Sequence, residues 1–163
     1  MIVIIDYGMG NAGAILNRLR RLDVEATISS EAEEIQKATK IILPGVGSFA
    51  TGMDNLKKYG LLSLLNRKVL AEKTPILGIC LGLQLFTRQS EEVDVGGLGW
   101  INAETKKFKF EAGDTDLKIP HIGWKSIEAK RDSPLLDGLS ADAEFYFVHS
   151  YHCLWWRWQS WRF

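Results

Sequence analysis

The chain has 163 residues, a formal net charge of zero, 46% hydrophobic residues and 25% charged residues. Its length fits one domain with a sizeable core, and its neutral charge gives no electrostatic reason to expect binding to nucleic acid or to an anionic membrane. Two cysteines, Cys80 and Cys153, cannot form a disulfide framework, so a reducing cytoplasm is the expected location.

The first eighty residues alternate apolar runs with segments of helical periodicity. Strands are predicted over 2–5, 24–28, 41–43 and 75–79, with helices after Asn11, from Ser29 and between Met53 and Leu70. This alternation predicts an α/β domain with a parallel sheet. Glycine-rich loops follow three of the strands, at Gly8–Gly10, Gly45–Gly47 and Gly78–Gly82. Because parallel strands end at one edge of a sheet, these loops are expected to converge there.

After about Ser90 the pattern changes to short strand candidates separated by turns. The candidates lie at 96–101, 108–110, 117–120, 124–129 and 145–148. They predict an antiparallel extension attached to the parallel core.

The stretch Thr74–Phe86 has the form of a nucleophile elbow, in which a strand turns sharply into a helix. Cys80 would stand at the apex, and Gly78 and Gly82 would supply the small neighbours that a strained apex requires. A helix starting there would favour the thiolate. The stretch by itself is equally compatible with a buried cysteine in a strand.

Gly8-x-Gly10-x-x-Gly13 matches the dinucleotide-binding fingerprint between a strand and a helix. The fingerprint also requires an acidic residue at the end of the second strand, where this chain has Ser29 and Ser30. A nucleotide site is therefore disfavoured, although it remains an alternative.

Taken together, five motifs make a family recognisable: the chain resembles class I glutamine amidotransferases, most closely the glutaminase subunits of imidazole glycerol phosphate synthases. The resemblance covers Met1–His152. The motifs are Asp6-Tyr7-Gly8-Met9-Gly10-Asn11, Leu43-Pro44-Gly45-Val46-Gly47-Ser48-Phe49, Gly78-Ile79-Cys80-Leu81-Gly82-Leu83-Gln84, Pro120-His121-Ile122-Gly123-Trp124 and Tyr146-Phe147-Val148-His149-Ser150-Tyr151.

The resemblance implies a flavodoxin-like α/β sandwich and a glutaminase site. Cys80 would attack the side-chain amide of glutamine and release ammonia. Val46 and Leu81 would supply the backbone N–H groups of the oxyanion hole. The residues that would bind glutamine are Gly47, Gln84, Glu92, Ser150 and Tyr151. No cofactor and no metal are expected.

The resemblance also implies a partner. Ammonia would pass to a (β/α)₈ cyclase subunit in a heterodimer of histidine biosynthesis, and Asn11 and Trp124 would lie at the interface. Related subunits supply ammonia to enzymes that amidate surface sugars, and the motifs do not separate these two functions.

The chain departs from the family at its late residues. The family draws its proton-shuttling histidine and a carboxylate from a His-Pro-Glu segment, whereas His121, His149 and His152 are the only histidines here and none begins His-x-Glu. His152 is the one candidate for a substitute base.

Residues 153–163 form a Trp/Arg-rich tail without helical or strand periodicity, so we predict an amidotransferase domain over 1–152 that is incomplete. The composition of the tail is typical of an out-of-frame reading. Without the His and Glu, the chain is expected to be inactive, so a non-catalytic docking subunit is a further alternative.

Overall fold

The structure, a computed structural model, describes residues 1–109, 118–140 and 142–155. The chain forms two compact units. The first consists of Met1–Lys106 together with the chain from Cys153 onwards, and the second consists of Lys107–His152. The amidotransferase domain expected over 1–152 stays a prediction.

A parallel sheet forms the centre of the first unit. Its strands are β1 (Ile2–Ile5), β2 (Ala26–Ser29), β3 (Lys40–Gly45) and β4 (Ile76–Cys80). They run in the order β2-β1-β3-β4, as in the first four strands of a flavodoxin-like sheet. The predicted α/β fold is confirmed.

Strands β1 and β3 are buried on both faces, as is usual for strands inside a parallel sheet. Val3 and Ile5 belong to the main core, which also holds Leu56 and Leu65. Ile4 points to the opposite face and is also fully buried. Burial on both faces fixes the register of the sheet, and with it the position of the loops at its edge.

Five helices follow or connect these strands. They are α1 (Ala12–Arg20), α2 (Ala32–Lys37), α3 (Phe49–Lys58), α4 (Leu62–Asn66), which continues into a π-helical turn (Arg67–Ala71), and α5 (Leu81–Gln84). Asn11 caps α1 through a hydrogen bond from the Ala14 N–H, and Ser48 caps α3 by accepting from the Thr51 N–H. In the described part of the chain, no helix has the length and hydropathy to cross a membrane.

Three helix boundaries differ from the prediction. Helix α3 begins at Phe49, before Met53. The second helix does not start at Ser29, because Glu31 is its N-cap and the Ser29 hydroxyl accepts a hydrogen bond from the Glu31 N–H instead. The helix after Cys80 is a single turn that ends at Gln84, before Phe86.

The chain also forms a second, four-stranded sheet. Its strands are β5 (Gln89–Ser90), β6 (Val93–Gly96), β7 (Ala103–Lys107) and β10 (Tyr151–Trp155), in the order β10-β7-β5-β6. Strand β5 pairs antiparallel with β6 and parallel with β7. The extension, which was predicted to be antiparallel, is therefore a mixed sheet.

The strand predicted over 96–101 is wrong. Strand β6 ends at Gly96, and the following backbone bonds to the segment after α5: the Leu98 N–H donates to the Leu85 carbonyl, and the Ile101 N–H donates to the Phe86 carbonyl. These carbonyls lie just past a helix end and need donors, which explains why this apolar segment does not pair as a strand.

The remaining strand predictions have mixed outcomes. Phe108 and Lys109 are not in a strand, and neither are residues 118–120, while Phe110 and Leu117 lie outside the described residues. The absence of strand structure predicted for the tail is wrong for Cys153–Trp155, which continue β10. Residues 156–163 lie outside the described residues.

In the second unit a two-stranded antiparallel ribbon consists of β8 (His121–Ser126) and β9 (Glu144–His149). The strand predicted over 145–148 is confirmed, with one more residue at each end. The strand predicted over 124–129 starts earlier, at His121, and ends at Ser126.

The buried side chain of Lys68 links α2 to the π-helical turn. Lys68 is 4% exposed, and its ammonium group donates to the carbonyls of Gln36 and Ala38 at 3.0 Å each. It also pairs with Glu72 at 2.9 Å. Hydrogen bonds from Lys68 and then Gln36 lower the pKa of Glu72. All three donors of the lysine are thus used, two at the end of α2 and one on Glu72, directly after the π-helical turn.

We expect Lys68→Met to lower the free energy of unfolding by about 2–3 kcal/mol, because the packing of the stem is kept while two carbonyls lose their donor. Chemical denaturation followed by circular dichroism measures this change. Lys57→Met, in the exposed last turn of α3, is the matched control and should change stability by less than about 0.5 kcal/mol. Equal effects of the two substitutions would contradict the role of Lys68.

Candidate active site

Cys80 stands at a sharp turn between β4 and α5. Its backbone angles, φ 54° and ψ −117°, are those of a type II′ turn position that glycine normally occupies. Cys80 is exposed to solvent. The strand–turn–helix geometry predicted for Thr74–Phe86 is therefore confirmed, whereas the role of Cys80 as a nucleophile stays a prediction.

The two glycines that flank Cys80 allow the turn to be this tight. A Cβ atom at Gly78 would lie 2.5 Å from Leu83 Cα, and one at Gly82 would overlap the Leu43 carbonyl oxygen. The helix start therefore packs directly on the backbone of β3. This is the steric reason for the Gly-x-Cys-x-Gly spacing.

Register places the loop after β3 beside the thiol. Gly45, the last residue of β3, is the Cα partner of Cys80 in β4. The loop after β1 reaches the same place, since a Cβ at Gly10 would lie 2.9 Å from the Gly45 nitrogen. The three glycine-rich loops converge on one edge, as predicted.

The two expected oxyanion donors both lie in this region. Val46 is 66% exposed and follows Gly45 directly, and Gly47 has a φ of +119° that disfavours other residues. Leu81 is the first residue of α5, so its N–H has no partner within the helix. Their position supports the oxyanion role that the resemblance implies, without testing it.

Glu92 is held next to the same loop. One of its carboxylate oxygens accepts a hydrogen bond of 2.9 Å from the Phe49 N–H, at the first residue of α3. Since Gly47 and Ser48 directly precede Phe49, this bond links Glu92 to the end of the loop that follows β3. A carboxylate at a helix start is electrostatically favourable, so Glu92 has a structural role in addition to its predicted role in binding glutamine.

Gln84 closes the single turn of α5. Its carbonyl accepts hydrogen bonds from the hydroxyl of Thr87 at 2.8 Å and from that of Thr105 at 3.3 Å. Both threonine side chains are buried. Sequence reasoning missed these two residues, because neither belongs to a motif and their partner is a backbone atom.

The two cysteines have different environments. Cys153 is half-buried in β10, and burial raises the pKa of its thiol to about 11, although a hydrogen bond with Thr105 partly opposes this. At neutral pH Cys153 is therefore a protonated, unreactive thiol. Cys80 is the exposed one of the two.

The second glycine of the nucleotide fingerprint is used for packing. Gly10 lies against Pro44 and Gly45, and Tyr7 is fully buried. The Asn11 side chain, which is predicted to contact the partner, caps α1. Backbone of β3 thus occupies the place where a pyrophosphate would approach the second glycine.

The second unit holds the other predicted residues. The Ser150 carbonyl accepts a hydrogen bond of 3.1 Å from the Phe108 N–H. His149 Nδ1 lies 2.8 Å from the Tyr151 carbonyl oxygen, and its Nε2 lies 3.0 Å from His121 Nδ1. Because a carbonyl only accepts, His149 carries its proton on Nδ1 and accepts from His121 through Nε2.

His152 stacks on Phe108, with ring centroids 4.6 Å apart and an interplanar angle of 5°. Burial, and then the charge of His149, lower the pKa of His152. The three histidines therefore belong to one aromatic cluster. In the described ranges there is no group of three His, Cys, Asp or Glu side chains that could hold a metal ion.

Comparison with known proteins gives a consistent result. A family model described as glutamine amidotransferase class-I matches residues 3–154. A solved structure described as a glutamine amidotransferase aligns with a TM-score of 0.67 at 19% identity, over 96% of this chain and 75% of that chain. At this identity the structural match supports the fold alone.

Curated relatives carry a more specific name. The imidazole glycerol phosphate synthase subunit HisH 2 of Methanococcus maripaludis is 53% identical over 94% of this chain and 75% of its own length. The protein of the same name from Pseudomonas aeruginosa is 44% identical over 93% of this chain and 74% of its own length. The subunit HisH of Leptospira interrogans is 43% identical over the same shares of the two chains, 93% and 74%.

We expect Cys80→Gly to be more stable than Cys80→Ala by about 1 kcal/mol, because glycine adopts the observed backbone angles without strain. Thermal unfolding of the two variants measures this difference. Cys153 is the matched control, since glycine in a strand is unfavourable and Cys153→Gly should be the less stable of its pair. The same sign at both positions would contradict a strained elbow.

Proposed function

Because the chain belongs to the class I glutamine amidotransferase family, we propose that it is the glutaminase subunit of an imidazole glycerol phosphate synthase. In this role it would convert glutamine to glutamate and ammonia for a cyclase partner in histidine biosynthesis. Support comes from curated relatives of that name, at 53% and 44% identity over more than nine-tenths of the chain. The observation that carries the chemistry is the strained, exposed Cys80 opposite Gly45.

The proposed first step is acyl transfer to sulfur. The Cys80 thiolate attacks the amide carbon of the glutamine side chain, forming a C–S bond and a tetrahedral oxyanion. The N–H groups of Val46 and Leu81 stabilise that charge. Collapse breaks the C–N bond, and the nitrogen leaves as ammonia after taking up a proton. Water then hydrolyses the glutamyl thioester to glutamate and regenerates the thiol.

Recognition of glutamine would use the residues that the family resemblance implies. Glu92 meets the substrate ammonium with the carboxylate that also accepts from Phe49, while Gly47, Gln84, Ser150 and Tyr151 provide the remaining contacts. A carboxylate fixed by a backbone N–H is already oriented, which lowers the entropic cost of binding the ammonium.

Proton transfer is the weak point of the proposed cycle. Within these 163 residues no histidine begins a His-x-Glu segment. Two histidines bond to each other, and the lowered pKa of His152 makes it a weak base. The amide nitrogen leaves as ammonia only after it has taken up a proton. We therefore propose that thioester formation is very slow in this chain.

We therefore expect the purified chain to release negligible ammonia from glutamine, with or without the cyclase subunit. A coupled assay for ammonia and glutamate measures this. Robust release that Cys80→Ala abolishes would contradict the expectation. In that case His152→Ala, compared with His121→Ala, would test whether His152 is the base.

The partner would cover an apolar face of the β8–β9 ribbon. Ile122 and Trp124 alternate with inward residues on β8, and their cross-strand neighbours Val148 and Tyr146 lie on the same face. Each of the four side chains is more than half exposed, with Trp124 at 63%. Apolar surface of this kind is typical of a protein interface, and the word subunit in the relatives' names agrees with a partner.

We expect Trp124→Ala to weaken binding to the cyclase subunit from the same genome by at least tenfold, because buried tryptophans dominate interface energies. Isothermal titration calorimetry measures the dissociation constant. Lys125→Ala, on the opposite face of β8, should change it by less than about twofold. If the complex forms but releases no ammonia, the chain acts as a docking subunit. If no complex forms, the cyclase is not the partner.

A further inference from the structure

Tyr7 is fully buried at the end of β1, below the loop that follows β3. A buried phenol requires a hydrogen-bond partner. Its hydroxyl donates to the Pro44 carbonyl oxygen at 2.7 Å, and its own backbone carbonyl accepts from the Asn55 side chain at 3.0 Å. Tyr7 is thus anchored to α3 through its backbone and to β3 through its side chain.

The Tyr7 hydroxyl lies where three elements meet. A Cβ atom added to Gly45 would lie 2.8 Å from the Tyr7 hydroxyl oxygen and equally close to Leu81 Cβ and the Gly82 nitrogen. Three elements therefore meet at the backbone of Gly45: the end of β1, the end of β3 and the first turn of α5. That position is the Cα partner of Cys80.

The peptide held by Tyr7 precedes the peptide that carries the Val46 N–H. The Pro44 carbonyl belongs to the Pro44–Gly45 peptide, and the next peptide along the chain ends in the Val46 nitrogen. Val46 itself is 66% exposed, so little packing fixes it directly. The hydrogen bond from Tyr7 is therefore the nearest side-chain restraint on this donor that the structure gives.

The phenol remains a donor under working conditions. Burial, and then the charge of Cys80, raise the pKa of Tyr7 well above its ordinary value. When the thiol is ionised, the hydroxyl is consequently still protonated and still bound to Pro44.

We propose that Tyr7 is a positioning residue for the oxyanion hole: its hydroxyl fixes the Pro44–Gly45 strand end and thereby sets the Val46 N–H relative to Cys80. This inference rests on the proposed function, since it gives Val46 a reacting oxygen to meet. A donor must lie about 2.7–3.1 Å from the oxyanion, and a displacement of about 1 Å can cost a factor of 100.

Two alkylating reagents separate positioning from a purely structural role. A glutamine-shaped chloroketone, L-2-amino-5-oxo-6-chlorohexanoate, places a ketone oxygen where the amide oxygen would lie. Sulfur bonds to its terminal carbon and chloride leaves. Iodoacetamide alkylates the thiolate by displacing iodide and needs no oxyanion donor. Peptide mapping by mass spectrometry gives both rates at Cys80 and distinguishes it from Cys153.

We expect Tyr7→Phe to slow labelling of Cys80 by the L-chloroketone by about tenfold or more. The iodoacetamide rate should stay within about twofold of the unsubstituted chain, because the ring and its packing are kept. Tyr59→Phe, at the exposed end of α3, should change neither rate. Equal slowing with both reagents, or no slowing with either, would overturn the inference.

A second pair of variants holds the shape constant. Tyr7→4-aminophenylalanine keeps an N–H donor, whereas Tyr7→4-methylphenylalanine has similar size and no donor. The first should restore the chloroketone rate and the second should not, which decides the question even if Tyr7→Phe does not fold. Equal rates for these two variants would refute positioning by hydrogen bonding.

The D-enantiomer of the chloroketone tests the proposed function separately. If the unsubstituted chain reacts no faster with the L-form than with the D-form, Cys80 does not recognise a glutamine-like substrate. The inference about Tyr7 then fails together with the proposed function. If the L-form is preferred but Tyr7→Phe has no effect, only the inference about Tyr7 fails.

Discussion

The close approach of β3 to the turn between β4 and α5 is the constraint on which the candidate site depends. No side chain can be added at Gly82, because it would overlap the Leu43 carbonyl, and a Cβ at Gly45 would lie 2.8 Å from the Gly82 nitrogen. Because the two backbones are in contact, Cys80 adopts a strained conformation with a positive φ. The same contact brings Val46 beside the thiol. Strain and proximity to the expected oxyanion donor thus have one cause.

The parts of the fold that depend on local signals could be predicted from the sequence. Continuous β-branched runs identified the strands buried on both faces, and parallel strand order then required the three glycine-rich loops to meet at one edge. The spacing around Cys80 identified the turn, since only the absence of two side chains permits it. The glutamine chemistry came from the family resemblance, because spacing by itself left a buried cysteine equally possible.

The parts that depend on tertiary contacts could not be predicted. The segment after Gly96 is as apolar as a strand, yet its N–H groups bond to carbonyls near α5. Tyr7 gave no signal beyond its place after a buried strand, in the first of the five family motifs. The proposed role of Tyr7 depends on the position of its hydroxyl group, which the packing of β3 sets.

The thiols and the histidines differ in how well their surroundings suit them to the proposed chemistry. Cys80 is exposed and strained, whereas burial raises the pKa of Cys153, so the Cys153 thiol stays protonated at neutral pH. The histidines are less suited to proton transfer. His149 uses both ring nitrogens in hydrogen bonds, to His121 and to the Tyr151 carbonyl.

The third histidine, His152, has a pKa lowered first by burial, and a weaker base takes a proton from a thiol less readily. If the chain has the proposed function, it would position an amide against sulfur more readily than it would protonate the leaving nitrogen. Substrate recognition and ammonia release would then be separable properties, and an assay that reports only ammonia would miss the binding of glutamine.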